Sequence, residues 1–151
     1  PPIPNGVLEA YRRAVLRYEE HVTSGRVPHY GFFGARFVKM KDILQKELIY
    51  RVAKENEFVT PCTSGTLSYV IWEDGRVGPC EVLSEDIGRI GEGASLRELI
   101  RSKRAQDLRR WVAETECKCT YECAQGNNTL FSWPMTKQVL RGLVGGRRLD
   151  L

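Results

Sequence analysis

Three cysteines within seven residues, "CKCTYEC" at 117–123, constrain this chain more than any other feature. The sequence holds five cysteines in 151 residues, and the other two, Cys62 and Cys80, stand far upstream in "TPCTSGTLSYVIWEDGRVGPCEVL". A single free cysteine is usually a small buried hydrophobe. Three together, flanked by Lys118, Thr120 and Glu122, point elsewhere. An odd number at low density makes a poor disulfide scaffold. The opening residues show no signal-peptide pattern, so the expected setting is the cytoplasm, where clustered thiols bind metal or carry redox chemistry. Three readings stay open from spacing: an iron–sulfur cluster on four thiolates, a structural zinc, or inert or disulfide-bonded thiols. Zinc sites usually show two short Cys-Cys knuckles, and only the downstream group has one.

Composition excludes other classes. Hydrophobic residues are 42% and charged residues 28% of the chain, an ordinary globular balance. A net charge of +4 is too mild to demand a polyanionic partner. No apolar run reaches the roughly 20 residues of a membrane span. "PPIPNG" lacks an initiator Met and reads as the tail of a linker, which sets the expectation of a fragment from a longer protein.

Apolar residues recur at helical spacing from Val7 to Val22, with Asn5 as the expected cap and Gly25 as the stop. "RVPHYGFFGAR" (26–36) reads as a loop. A second helical pattern runs from about Val38 to Lys54, and Lys39, Lys41, Lys46 and Arg51 are expected on its solvated face. "LSYVIW-EDGR-VGPC" is a hairpin signal, because Asp74-Gly75 suits a type I′ turn. That turn would place Trp72 opposite Val77 and Tyr69 opposite Cys80, with Pro79 marking an edge strand. The hairpin would thus return the chain to the neighbourhood of Cys62. Residues 82–93 are strand and turn material. Ser95 and Glu98 have capping-box spacing ahead of a helix that breaks near Ser102 and buries Leu108 and Trp111. After the cysteine cluster, "AQGNN" reads as a turn, "MTKQVLRGLV" as a short helix, and "GGRRLDL" as a loose tail.

These residues carry a resemblance. The pattern C-x12-G-x4-C is Cys62, Gly75 and Cys80, with "DG-x-V-x-PCE" around the second cysteine, and C-x-C-T-x-E-C is Cys117, Cys119 and Cys123. Together they resemble the C-terminal auxiliary iron–sulfur domain of radical S-adenosylmethionine (radical SAM) enzymes, of the SPASM or twitch type, over roughly residues 60 to 131. The resemblance implies an α+β fold, a small β-hairpin or sheet that binds the cluster with flanking α-helices. It implies a division into a helical support segment (1–58), the cluster-binding domain (59–131) and a C-terminal helix and tail (132–151). It also implies an auxiliary [4Fe–4S] cluster held by Cys62 and Cys80 with two of the three downstream thiols. Full domains of this type hold two clusters. Five thiols supply one set of four ligands with one left over. Cys123 ranks first among the downstream ligands, Cys119 next, and Cys117 as the spare.

The CxxxCxxC that binds the S-adenosylmethionine-cleaving cluster is absent, and the chain is too short for the accompanying barrel. By this resemblance the chain is a piece of a radical SAM oxidoreductase that is not catalytic alone. Its expected partners are the upstream barrel, which binds S-adenosylmethionine, and a peptide or protein substrate. The principal rival is a zinc-stabilised interaction module without a redox role, and zinc or an empty site is expected after aerobic handling. A third class, nucleic-acid binding through "RSKRAQDLRRW" (101–111), has only an ordinary basic helix face behind it. Acid–base catalysis has little support. His21 suits a helix C-terminus, His29 lies in a loop, Glu81 stands beside Cys80, and no Ser/His/Asp set, P-loop or HExxH occurs.

Overall fold

The computed structural model describes residues 3–27, 30–91 and 93–145. In chain order the elements are α1 (Asn5–Thr23), α2 (Ala35–Glu55), β1 (Val70–Ile71), β2 (Arg76–Gly78), β3 (Gly88–Arg89), α3 (Leu96–Arg101), α4 (Lys103–Glu114), α5 (Glu122–Phe131) and α6 (Trp133–Gly145). Among the described residues the fold is therefore α+β, as expected. The chain forms two compact units: a helical unit of residues 1–60 and 118–151, and a hairpin unit of residues 61–117. The boundary falls inside the cysteine cluster, between Cys117 and Lys118.

In the helical unit α2 is the central element, and α1, α5 and α6 pack against it. Its core is Leu44, Leu48 and Val139, with Phe37, Met40, Val59 and Met135 packed around them. Gly34 at φ 87° opens α2 and Asn56 at φ 53° closes it, both in the left-handed region. The helix starts at Ala35, three residues before the periodicity predicts. The solvated-face expectation fails for Lys39, which is buried and donates from Nζ to the Val27 carbonyl at 3.0 Å. Its long aliphatic stem fills apolar space while the ammonium finds a backbone acceptor. Lys41, Lys46 and Arg51 are half-buried and engage Gln45, Glu122 and Glu57.

Three further expectations need correction in this unit. Asn5 is the first residue of α1 and makes no cap, because Pro4 holds the cap position. Proline has no amide to leave unsatisfied there. "AQGNN" is not a turn but the middle of α5, with Ala124, Gln125 and Asn128 buried. α5 packs against α2, and Gly126 lets the Gln45 amide approach to 3.2 Å of where a β-carbon would lie. α6 forms as expected, starting at Trp133 with Pro134 tolerated in its first turn. His29 and residues 146–151 lie outside the described residues, and His21 occupies the last turn of α1.

In the hairpin unit the sheet order is β1-β2-β3, all antiparallel. The expected hairpin exists, but its register is Ile71 opposite Val77 and Val70 opposite Gly78. The loop holds three residues, Glu73 to Gly75, with Trp72 accepting from Gly75 at 2.9 Å and donating to Arg76 at 3.0 Å. A type I′ turn needs positive φ at both central residues, and here only Gly75 has it, at φ 83°. Asp74 instead turns its carboxylate onto the Arg76 amide at 3.0 Å and the Arg76 guanidinium at 2.8 Å. These contacts hold its pKa below the usual carboxylate value, led by the backbone hydrogen bond.

Pro79 does not mark an edge. β2 is the central strand, and Pro79 follows its last residue, so its missing amide removes no ladder bond. Val77, Ile87, Leu99 and Ala105 form the core of this unit. Ser95 and Glu98 form the predicted capping box, and Ser102 ends α3 and caps α4 through its hydroxyl. Ser95→Ala is expected to cost about 1 kcal/mol, read as a lower denaturant midpoint. An unchanged midpoint would show that the cap carries no stability.

Candidate functional site

No disulfide joins any of the five cysteines, and they divide between the units. Cys62, Cys80 and Cys117 belong to the hairpin unit, Cys119 and Cys123 to the helical unit. Among the described residues no three His, Cys, Asp or Glu side chains are gathered as a metal-ready group.

The Cys62 turn is held by its backbone. The Thr63 carbonyl accepts from Thr66 at 3.1 Å and Leu67 at 2.9 Å, and Gly65 donates to Ser68 at 2.9 Å. Gly65 sits at φ 74°, and a β-carbon there would lie 3.3 Å from Pro79 Cβ. This close approach lays the Cys62 turn against the residue preceding Cys80. The sequence expectation that the hairpin returns the chain to Cys62 thus holds at the level of the two loops, despite the shifted register. After buried Pro79 the chain bends so that the Leu83 amide donates to Cys80 Sγ at 3.4 Å. Amide donors of this kind suit a sulfur that carries negative charge, and they tune the potential of thiolate-bound iron. Cys117 is half-buried, and its amide donates to the Val112 carbonyl at 3.1 Å, just after Glu116 at φ 49°.

In the helical unit two buried glutamines grip the backbone of the downstream cysteines. Gln125 Nε2 donates to the Cys119 carbonyl at 2.6 Å, and Gln45 Nε2 donates to the Glu122 carbonyl at 2.7 Å. Cys123 is exposed in the first turn of α5, where helix amides favour negative charge. It borders a cleft of about 460 Å³ shared with Tyr18, Lys41, Lys46 and Glu122. Burial raises the Tyr18 hydroxyl above its ordinary value and pushes that of Tyr11 up to about 12, with Glu122 adding to both shifts.

The Glu122 carboxylate is held below its ordinary 4.5 chiefly by its hydrogen bond to Lys46 Nζ at 2.7 Å. A depressed carboxylate stabilises the fold above 4.5 and loses that contribution as pH falls through its folded value. Lys46→Met should therefore melt closer to wild type at about pH 3 than at about pH 6. An equal difference at both pH values would sink the ion pair as a stabilising contact.

Nothing in the sequence pattern singles out Gln45 or Gln125, because each acts on a backbone carbonyl, Gln45 across 77 residues and Gln125 across six. Trp111 departs from expectation. It is exposed, while Val112 takes the buried position, and it lines a groove of about 480 Å³ with Leu83, Asp86, Arg104 and Leu108. The basic face of 101–111 is largely turned to intramolecular partners. Lys103 and Arg110 reach Asp107, Arg104 lies 3.6 Å from Asp86, and Arg109 points inward.

With this geometry in view, residues 62–124 match the model of an iron–sulfur cluster-binding domain, and all five cysteines fall inside the match. That model is SPASM, the type that the cysteine spacing resembles. No curated protein and no solved structure matches the chain. Among the described residues no helix is long and apolar enough to cross a membrane.

Proposed function

We propose that the chain is an auxiliary cluster domain of a radical SAM oxidoreductase, acting in the cytoplasm, and that Cys62, Cys80, Cys119 and Cys123 hold one [4Fe–4S] cluster. The observation that carries this reading is the SPASM match spanning all five cysteines. The donor chemistry supports it: no cysteine is spent in a disulfide, and the Cys80 sulfur already receives an amide hydrogen bond. Cys117 is the spare. Such a cluster supplies a one-electron store. With four thiolates its iron is fully ligated, which favours electron relay over direct binding of a substrate. The S-adenosylmethionine chemistry belongs to a barrel that these 151 residues do not contain, and the substrate of the whole enzyme is a peptide or protein side chain.

The test is anaerobic reconstitution with iron and sulfide, followed by iron and sulfide counts and EPR of the reduced sample. A brown protein with one cubane cluster per chain is the expected result. A colourless protein that takes up a single zinc and no iron would establish the structural-zinc alternative instead.

A further inference from the structure

The side chain that ties the Cys62 turn in place is a cation that no carboxylate among the described residues pairs with. Arg109 projects from α4, and its Nη1 lies 3.2 Å from the Gly65 carbonyl, 3.1 Å from the Ile100 carbonyl and 2.7 Å from Tyr69 Oη. The Tyr69 hydroxyl in turn donates to the same Gly65 carbonyl. The aliphatic stem joins this contact, with Cγ 3.7 Å from where a Gly65 β-carbon would lie, beside Pro79. One half-buried residue therefore links the turn after Cys62, the residue before Cys80, and the helix that leads to Cys117.

Its electrostatics differ from those of its neighbours on α4. The other guanidinium and ammonium groups of α4, on Lys103, Arg104 and Arg110, all face carboxylates. No carboxylate among the described residues pairs with Arg109, and its three acceptors are uncharged oxygens. A guanidinium keeps its charge, and holding one half-buried against neutral partners costs desolvation that a surface position would avoid. A metal centre bound by thiolates carries net negative charge and would supply the missing counter-charge.

We infer that Arg109 is a positioning residue for the Cys62–Cys80 half of the site, and that its uncompensated charge raises the reduction potential of the cluster held there. This rests on the iron–sulfur reading above. The Arg109 contacts order the Cys62 turn before metal arrives. Once the cluster is bound, the fixed positive charge stabilises its reduced form, which is the more negative one.

The experiment is a redox titration followed by EPR of the reconstituted chain as wild type, R109Q, R109M and R109K, beside the thermal melt of each protein. R109M is the second neutral variant should R109Q not fold. The expected result is a lower midpoint potential in the neutral variants and a return towards wild type in R109K, whatever the melting temperatures do. Equal potentials in wild type and a loaded neutral variant would overturn the inference while leaving the cluster itself established. A wild-type chain that takes up no iron would instead sink the cluster reading, so the two failures are told apart.

Discussion

Cys80→Ser is expected to strip the reconstituted chain of nearly all its cluster, measured as iron per chain and as the EPR signal of the reduced state. Serine keeps the size of the side chain but replaces a soft thiolate with a hard hydroxyl that ligates iron–sulfur clusters poorly. The apo fold should change little, because Cys80 is only half-buried and its side chain accepts a single amide bond, from Leu83. Cys117→Ser is the matched control, and it should load to wild-type level. If Cys117→Ser emptied the site while Cys119→Ser left it full, the two thiols would exchange roles. If Cys80→Ser loaded normally, the proposed ligand set would be wrong at its firmest member.

The second large effect is one of packing. Gly78→Ala should destabilise the hairpin unit by about 3 kcal/mol, the upper end of the usual range for overpacking. An added β-carbon would lie 2.6 Å from Trp72 Cη2 and 3.0 Å from the Glu85 carbonyl oxygen. The indole is itself covered by the Arg76 guanidinium, 4.9 Å from its ring, and the Glu85 oxygen is backbone and cannot rotate aside. Denaturant titration of the apo protein reads the loss, and an unchanged midpoint would show that Trp72 moves freely. Because Gly78 stands two residues before Cys80, the same variant should also load less iron than wild type.

How much of this was legible in the sequence depends on whether the information is local. The hairpin, the capping box at Ser95 and the break at Ser102 are local signals, and all three appear where the residues place them. The hairpin register is not fully local. "EDGR" fits both a two-residue and a three-residue loop, and the choice falls to Asp74, whose carboxylate prefers the Arg76 amide and is flanked by Arg89 on the neighbouring strand. That one-residue change moves every side chain of β1 to the other partner. The interior of α5 was hidden for a different reason. "AQGNN" looks like a turn because its residues are polar and flexible, yet in the fold they lie in a helix that packs against α2, with Ala124, Gln125 and Asn128 buried. Lys39 and Trp111 show the limits of a periodicity argument in both directions, a buried ammonium and an exposed indole. Cysteine spacing was the strongest signal of function, because metal ligation constrains residue type more tightly than packing does. The parts of the site that hold those cysteines, Arg109, Gln45 and Gln125, act through backbone carbonyls, and a carbonyl leaves no mark in a sequence.

The position of the boundary between Cys117 and Lys118 has a consequence for the order in which the molecule is made. Residues 61–117 form one uninterrupted stretch, so that unit closes on contacts near in sequence. The helical unit is split, and α2 meets α5 and α6 only after the whole intervening stretch has been synthesised. Bringing such distant segments together carries a chain-entropy cost that local contacts avoid. A growing chain can therefore complete the segment that bears three of its thiols while the segment that carries the last two is still unfinished.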